Sequence, residues 1–423
     1  MLMGDQEQTQ LAALNRLIAA IAPTNRFYRE KLATAAALNG FASLADFRER
    51  MPFTTKADLV RDQADYPPHG STLTYPDTSY IRFHQTSGTG GRPLLWLDDA
   101  ASWQWVLDNW KIVWQHAGAR AGDTAFFAFS FGPFLGFWAA FDSAVQLGLR
   151  AIPAGGLSSR DRLHFLLARR PRFLCCTPTY ALRLAEVARQ ESIDLTDSGL
   201  ARIIVGGEPG GSVPSVRAQI ESAWPGARVV DHHGMTEIGP VSYSLPAEST
   251  VLRLIHEAYF CEVLTPETNQ PVPLGETGEL VLTTLGRTAC PLLRYRTGDI
   301  VRPVATIDAP ATAFSLAGGI LGRVDDMLVI RGVNVYPSAI DAVVRAVPGI
   351  GEYIVEIDRR SAIPEVVVRI ESTSLDDPVN ELAKQLRATL RIRIAVKKVP
   401  SGTLPVSEMK ARRWKFLSAT ALP

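Results

Sequence analysis

Between His84 and Trp96 the chain reads HQTSGTGGRPLLW, with glycine at 88, 90 and 91 and hydroxyls on Thr86, Ser87 and Thr89. So little side chain leaves backbone N–H groups free to face a ligand, and Arg92 adds a fork of donors beside them. That chemistry suits a polyphosphate gripped from above. Two better-known phosphate grips fail here. No G-K-[ST] follows Gly88 at Walker spacing, and Pro93 stands where a dinucleotide fingerprint needs its third glycine. A surface turn uses the same residue types, so on this stretch alone both readings stay open.

Other groups with reactive potential are few. Ser407 and Lys410 match the S-x-x-K of serine acyl-enzyme hydrolases, but the accompanying S-D-N and K-T-G are absent from the chain. His256-Glu257 begins no H-E-x-x-H, because Phe260 takes the place of the second histidine. Cys175 and Cys176 share an apolar run while Cys261 and Cys290 stand alone, which makes neither a disulfide scaffold nor a zinc cluster. Such usage fits a reducing compartment, and cytoplasmic placement is the expectation.

A phosphate loop needs a scaffold to hold it. From Thr124 onward short apolar runs alternate with helix-length segments: TAFFAF, RAI, RFLCC, ARIIV and ARVVD each lead through a short link into the next segment. Five such β-to-α passages, the last of them running into HHGMTE, predict a largely parallel sheet covered by helices. Ligands of such sheets bind beyond the carboxyl ends of the strands, which gathers Ser130, Thr177, Gly206 to Pro209 and Asp231 to Glu237 around one crevice. Helices are also expected within 8–37 and 99–117. Past residue 250 the texture turns β-rich, with Gly275 and Gly278 bracketing a hairpin-like turn. EYIVEI, EVVVRI, a helix over 377–391 and AVKKV then predict a small α+β unit, with a boundary near GRVDD at 322–326.

Bulk properties narrow the function further. The 423 residues are 46% hydrophobic and 21% charged, which is enough apolar material for a large core and unlike a disordered chain. Forty-four basic and 43 acidic side chains leave a formal charge of +1, so no overall field draws in nucleic acid or an anionic membrane. The uncharged run AFFAFSFGPFLGFWAAF, 125–141, is interrupted by Gly132, Pro133 and Gly136 and reads as buried strand, turn and helix rather than a membrane span. The opening MLMGDQEQTQ has neither a basic nor an apolar region of a secretory signal.

Five distant stretches share an order: TSGTGGRP (86–93), HHGMTE (232–237), LLRYRTGDI (292–300), GRVDDMLVIRGVNVYP (322–337) and GTLPVSEMKARR (402–413). In this order they resemble the adenylate-forming, AMP-binding superfamily, and RYRTGD with CCTPTYALRLAEVA is similar to its phenylacetate-CoA ligase branch. The resemblance runs over almost the whole chain. It implies an α/β fold: a large N-terminal adenylation domain over 1–324, with its helix-covered sheet and a β-rich subdomain, and a small mobile α+β domain over 325–423 hinged near Asp325. It also implies a two-step reaction that uses ATP, Mg²⁺ and CoA. A carboxylate attacks the α-phosphate and expels pyrophosphate, and a thiol then displaces AMP. Both steps move negative charge, so positioned donors and cations matter more than a nucleophilic side chain.

The resemblance also assigns roles. It gives Thr86, Ser87, Gly88, Thr89, Gly90, Gly91 and Arg92 to the β- and γ-phosphates, with Gly90 and Arg92 standing where the family usually has threonine and lysine. Thr236 and Glu237 match the positions that meet the α-phosphate and Mg²⁺. Gly206, Gly207, Glu208 and Pro209 look like the adenine-pocket wall, Gly206 also bordering the acyl pocket. Asp231, His232, Gly234 and Met235 accompany His233, which replaces the usual tyrosine on the adenine face. Asp299 takes the place that accepts both ribose hydroxyls, and Arg323 that of a second ribose or phosphate contact. Arg331, Gly332 and Asn334 belong to the loop that faces CoA after the small domain turns. Lys410 matches the lysine that neutralises charge during adenylation, although Met409 precedes it where the family has glycine. Phe129, Phe131 and Phe134 fall where aryl-acid ligases line the acyl pocket, and the first two replace hydroxylated tyrosines, which points to an aromatic or bulky apolar acid. Some relatives carry a structural zinc; with His256 but no cysteine cluster, none is expected here. Alternatives are a carrier-protein phosphopantetheine as thiol acceptor, a serine hydrolase at Ser407, and a degenerate nucleotide-binding protein. Self-association as a homodimer stays open.

Overall fold

The protein is described by a computed structural model covering residues 3–86, 93–306, 313–325, 328–330, 333–358, 365–372, 378–405 and 413–417. It opens with four helices, α1 (Met3–Ile21), α2 (Arg26–Thr34), α3 (Leu44–Arg50) and α4 (Lys56–Asp65). Their starts follow from side-chain caps: Asn25 accepts from Tyr28 N, Ser43 from Asp46 N, and Thr55 with Asp58 forms a capping box. Leu14, Leu17, Ile18 and Ile21 repeat at helical spacing along α1 and pack with Tyr28, Leu32 and Phe47 into a core shared with Phe260, Leu285 and Leu293. Next come the antiparallel strands β1 (Tyr80–Gln85) and β2 (Leu95–Asp99), paired His84 to Trp96 and Gln85 to Leu95, which hold the glycine-rich segment between them. Asp99 then caps α5 (Ala100–His116) through Ser102 N.

The central sheet begins at β3 (Thr124–Phe127), followed by α6 (Leu135–Gln146), β4 (Arg150–Pro153), α7 (Ser159–Arg169), β5 (Phe173–Cys176), α8 (Pro178–Gln190), β6 (Arg202–Val205), α9 (Pro214–Ala223) and β7 (Arg228–Met235). Strands β4, β3, β5, β6 and β7 lie side by side and parallel, as the alternating pattern predicts. Four of the five expected β-to-α passages are present; the fifth is not. HHGMTE does not start a helix: His232 to Met235 continue β7, and a turn returns the chain as β8 (Gly239–Leu245) in an antiparallel pair. The residues explain it. The ladder shifts register between His233 and Gly234, and Gly239 sits at φ +102°, a left-handed turn conformation rather than a helix start. Strand β9 (Glu248–Leu254) follows β8, and with two later strands it extends the sheet antiparallel, so five of its nine strands form the parallel part.

A second, four-stranded sheet is built from β10 (Tyr259–Leu264), β11 (Gly278–Thr284), β12 (Tyr295–Val301) and, further on, a short strand at Gly322. Between them β13 (Pro303–Ala305) and β14 (Phe314–Ala317) return to the central sheet, and β15 (Gly322–Arg323) closes the second one against β12. The rest is separate: hairpin β16 (Leu328–Ile330) with β17 (Val333–Val335), α10 (Pro337–Ala346), β18 (Ile350–Asp358), β19 (Glu365–Ser372), α11 (Pro378–Leu390), β20 (Ala395–Val399) and β21 (Trp414–Leu417). It carries its own core around Val335, Ile340, Val355, Val368, Leu382 and Leu386.

Trp114 anchors the main core between α5 and the sheet. Its indole is fully buried, lies edge-on to Phe127 and Phe173, and donates from Nε1 to Ser143 Oγ at 3.0 Å. Trp114→Ala should destabilise the protein by about 3–5 kcal/mol, seen as a lower urea midpoint by far-ultraviolet circular dichroism. An unchanged midpoint would show that the surrounding rings collapse into the space at no cost.

Candidate active site

The carboxyl end of β7 divides its side chains between two faces, as strand alternation requires. Asp231 turns toward the loop before α9, where Oδ2 accepts from Ser212 Oγ at 2.6 Å and Oδ1 from His232 N at 3.0 Å. Burial there holds its carboxyl above the usual carboxylate range. His232 points the other way, its ring 4.2 Å from that of Trp110 on α5. Burial pushes this imidazole down to about 3, so it stays neutral and its Nδ1–H donates to the Ser242 carbonyl at 2.9 Å. Gly206, at the end of β6, faces the same residue: a Cβ there would lie 2.8 Å from the His232 carbonyl oxygen.

His233 reaches across to the second sheet, where its Nε2–H donates to Asp299 Oδ2 at 3.1 Å. Arg323 donates from Nη1 to Asp299 Oδ1 at 2.8 Å, and the two residues are cross-strand partners in β12 and β15. The other end of the same guanidinium faces Asp325 at 3.4 Å. Gly298 makes room for this fork: it sits at φ +76°, and a Cβ would lie 2.8 Å from Arg323 Nη2. Glu237 is buried on the turn after β7 and accepts from the Tyr295 hydroxyl at 3.0 Å. Burial and this neighbouring carboxylate push the Tyr295 phenol well up, so it keeps its proton and acts as the donor. Thr236 presents its carbonyl to Arg287 Nη1 at 3.1 Å.

The structure therefore brings His233, Asp299, Arg323 and Asp325 into one chain of contacts, with Glu237 tied to the same β12 strand through Tyr295. Gly234 and Met235 continue β7 beside them, opposite Pro240 and Gly239. Glu208, in contrast, is engaged at the start of α8, where its Oε1 accepts from Thr179 N at 2.9 Å; Gly207 before it takes φ +87°, and Pro209 follows in the same loop. Thr86 closes the root of the glycine loop by two bonds to Leu94, one from each backbone N–H, and Gln85 N donates to the Pro133 carbonyl at 2.7 Å. Ser87, Gly88, Thr89, Gly90, Gly91 and Arg92 lie outside the described residues, as do Arg331, Gly332, Ser407, Met409 and Lys410. Asn334 is described as backbone alone, opposite Val329.

Behind the Pro133 turn the aromatic side chains form a cluster. Phe129 stacks on Phe137 at 4.1 Å between centroids, Phe134 meets Phe137 edge-on at 6.2 Å, and Phe131 lies between Trp138 and Phe141. All of these rings are only half-buried, unlike the Phe126 and Phe127 rings of the strand before them.

Two residues at the site escape a reading of motifs. Tyr295 lies inside LLRYRTGDI, and strand alternation places 295, 297 and 299 on one face, so its nearness to Asp299 was legible. Arg287 stands in LGRTAC with no pattern around it, and its partner Asp98 is 189 positions away.

Residues 40–287 match the AMP-binding enzyme family, and residues 332–415 match the AMP-binding enzyme C-terminal domain. The phenylacetate-coenzyme A ligase of Thermus thermophilus is 31% identical, over 93% of this chain and 92% of that one. Its namesake from Escherichia coli is 32% identical, over 91% and 89%. Among solved structures, 2-hydroxyisobutyryl-CoA ligase in the postadenylation state, bound to an acyl-AMP, aligns with TM-score 0.90 at 30% identity over 98% of this chain and 90% of that one. In its thioesterification state, with CoA, the same enzyme aligns at 0.72, again over 98% of this chain. Sequence similarity hardly changes between those two comparisons, so the difference is one of how the parts are placed. With both family regions matched in order and these relatives aligned over nearly their whole length, the chain belongs to the AMP-binding enzyme family.

Proposed function

We propose that this chain activates an aromatic or otherwise bulky apolar carboxylic acid with ATP and passes the acyl group to the thiol of CoA. The observation that carries the reading is the meeting of His233 from β7 with Arg323 and Asp299 from the second sheet. A carboxylate offers roughly four lone-pair directions, and two donors leave room on Asp299 for the two ribose hydroxyls. Arg323 and His233 then hold that carboxylate in place, and His233 lays its ring beside the adenine.

In the first step an oxygen of the acid attacks the α-phosphorus, the bond to the bridging oxygen breaks, and the electron pair leaves with pyrophosphate. Thr86 to Arg92 supply N–H, hydroxyl and guanidinium donors to the departing phosphates, and Lys410 supplies a cation. In the second step the CoA sulfur attacks the acyl carbonyl, its proton passes to solvent, and the carbon–oxygen bond to AMP breaks. Arg331, Gly332 and Asn334 face CoA in that step, after the domain beyond Asp325 has turned against residues 1–324.

Glu237 fits Mg²⁺. Tyr295 occupies one of its carboxylate oxygens, and among the described residues no donor reaches the other. An ion held by this one carboxylate would be completed by phosphate oxygens and water. When bound, the ion supplies positive charge against the phosphate oxygens.

Support for an apolar acid comes from the half-open Phe129, Phe131, Phe134 and Phe137 cluster, which offers rings and no hydroxyl. The free, buried cysteines support a cytoplasmic setting. Among the described residues no helix is long and apolar enough to cross a membrane.

ATP–pyrophosphate exchange over phenylacetate, benzoate, branched aliphatic acids and acetate should be fastest with the aromatic members, and a preference for acetate would end the pocket assignment. Supplying CoA and a holo-carrier protein in parallel identifies the thiol. Lys410→Ala should slow exchange by roughly 10²- to 10³-fold, the scale of losing a preorganised donor to developing charge; an unaltered exchange rate would remove Lys410 from adenylation. Asp299→Asn should weaken ATP binding by about 10- to 100-fold, the worth of hydrogen bonds to a charged acceptor, and titration calorimetry showing wild-type affinity would take the ribose role from this residue.

A further inference from the structure

Among the described residues Arg287 and Asp98 are the most deeply buried ion pair, both side chains at 0% exposure. The pairing is bidentate: Nε donates to Oδ1 and Nη2 to Oδ2, each at 2.6 Å. Nη1 is left over, and it donates to the Thr236 carbonyl at 3.1 Å. The guanidinium also lies 5.7 Å from the Trp96 ring. Three segments thus meet on one planar group: β2, which carries the chain out of the glycine loop, the turn that bears Thr236 and Glu237, and the link after β11.

Two of the three are also fixed on their own side. Strand β2 is held in register by β1, with Asp98 opposite Arg82. The 286–290 link is clamped where Thr74 and Tyr80 donate to the Ala289 carbonyl and Ala289 N donates to Ser102 Oγ. Gly286 abuts Trp105 so closely that a Cβ would lie 2.4 Å from the indole. An ion pair taken wholly out of water adds little net stability compared with apolar residues of the same volume, because desolvation offsets its attraction. What the pair does supply is geometry, since only a planar fork can satisfy two carboxylate oxygens and a carbonyl at fixed angles.

Resting on the reading given above, we propose that Arg287 is a positioning residue for adenylation: it locks the root of the nucleotide loop to the Thr236–Glu237 turn, so that the two phosphate-facing segments keep one spacing. It touches no substrate. Its effect falls on the step in which both segments act on the triphosphate, and the later transfer of a finished acyl group to the thiol does not need it.

The two half-reactions can be measured apart. Wild type, Arg287→Lys and Asp98→Asn would be assayed for ATP–pyrophosphate exchange with phenylacetate, for thioester formation from added phenylacetyl-adenylate and CoA, and for urea midpoint. Lysine keeps the charge and loses the fork; asparagine keeps the shape and one acceptor. Both variants should lose about 10²-fold in the exchange rate at saturating ATP, the scale of an ångström-sized misplacement, while thioester formation stays within about threefold of wild type. Equal losses in both half-reactions that follow the unfolding midpoint would overturn the proposal, and so would full exchange activity in either folded variant. Absence of exchange in the wild type, by contrast, would strike down the adenylation reading itself and the positioning role with it.

Discussion

Asp299 places a carboxylate where water scarcely reaches, and a buried charge of this kind persists only with donors close at hand. Those donors come from elsewhere in the chain: His233 from the last parallel strand and Arg323 from the short strand beside β12. Much of the architecture around the site follows from holding these three together. Strand β7 has to run on past Asp231 so that His233 projects beyond the sheet, which is why HHGMTE forms strand and turn rather than helix. Gly298 has to lack a side chain so that the guanidinium can lie across β12. The second sheet is fastened to the N-terminal helices through Phe260, Leu285 and Leu293, so the platform carrying Asp299 is set by a core formed partly by the first fifty residues.

The same economy of position separates the two histidines. His232 and His233 are neighbours of one type, yet alternation sends the first into a neutral, stacked seat under α5 and the second to an ionic partner. A seat that holds the His232 imidazole neutral keeps an extra positive charge away from β7, leaving His233 and Arg323 to face the carboxylate. Burial thus sorts the chemistry before any ligand arrives. The aromatic cluster shows the reverse choice: Phe127 faces the core and is closed off, while Phe129 and Phe131, just beyond the end of that strand, stay half-open.

Reading the sequence recovers those features that depend on local pattern. Alternating apolar runs revealed β3 to β7, because a strand buried on both faces has to be apolar throughout, and glycine-rich links marked the crevice end. Asp299 and Glu237 were legible as motif residues. The antiparallel half of the sheet was harder, since β8, β9, β13 and β14 pair across intervals with no helical spacer to announce them. Glu208 was assigned to a pocket wall, and its bond to Thr179 N at the start of α8 could not be read from GGEP alone. Arg287 was invisible for a deeper reason: an arginine in a loop reads as solvent-facing, and only the fold reveals that Asp98 meets it in a dry interior.

How the small C-terminal unit is attached bears on a two-step reaction. Its core, from Ile330 to Ile394, is built from the unit's own residues, as expected of a domain that folds around its own apolar centre. Among the described residues its polar ties to α9 are modest: Ser215 Oγ donates to the Ala342 carbonyl at 3.2 Å, and Gln219 Nε2 to the Arg345 carbonyl. Arg345 lies in the last turn of α10, where carbonyls lack helical partners, so Gln219 satisfies a group that water satisfies equally well once released. Bonds of this kind contribute about 0.5–1.5 kcal/mol each, enough to favour one placement and too little to forbid another. The protein aligns at 0.90 with the postadenylation state of 2-hydroxyisobutyryl-CoA ligase and at 0.72 with its thioesterification state, so its own arrangement is nearer to the first. Tyr336 packs over Gly322, where a Cβ would lie 2.6 Å from the ring, so a side chain at 322 would push the small unit away from β15.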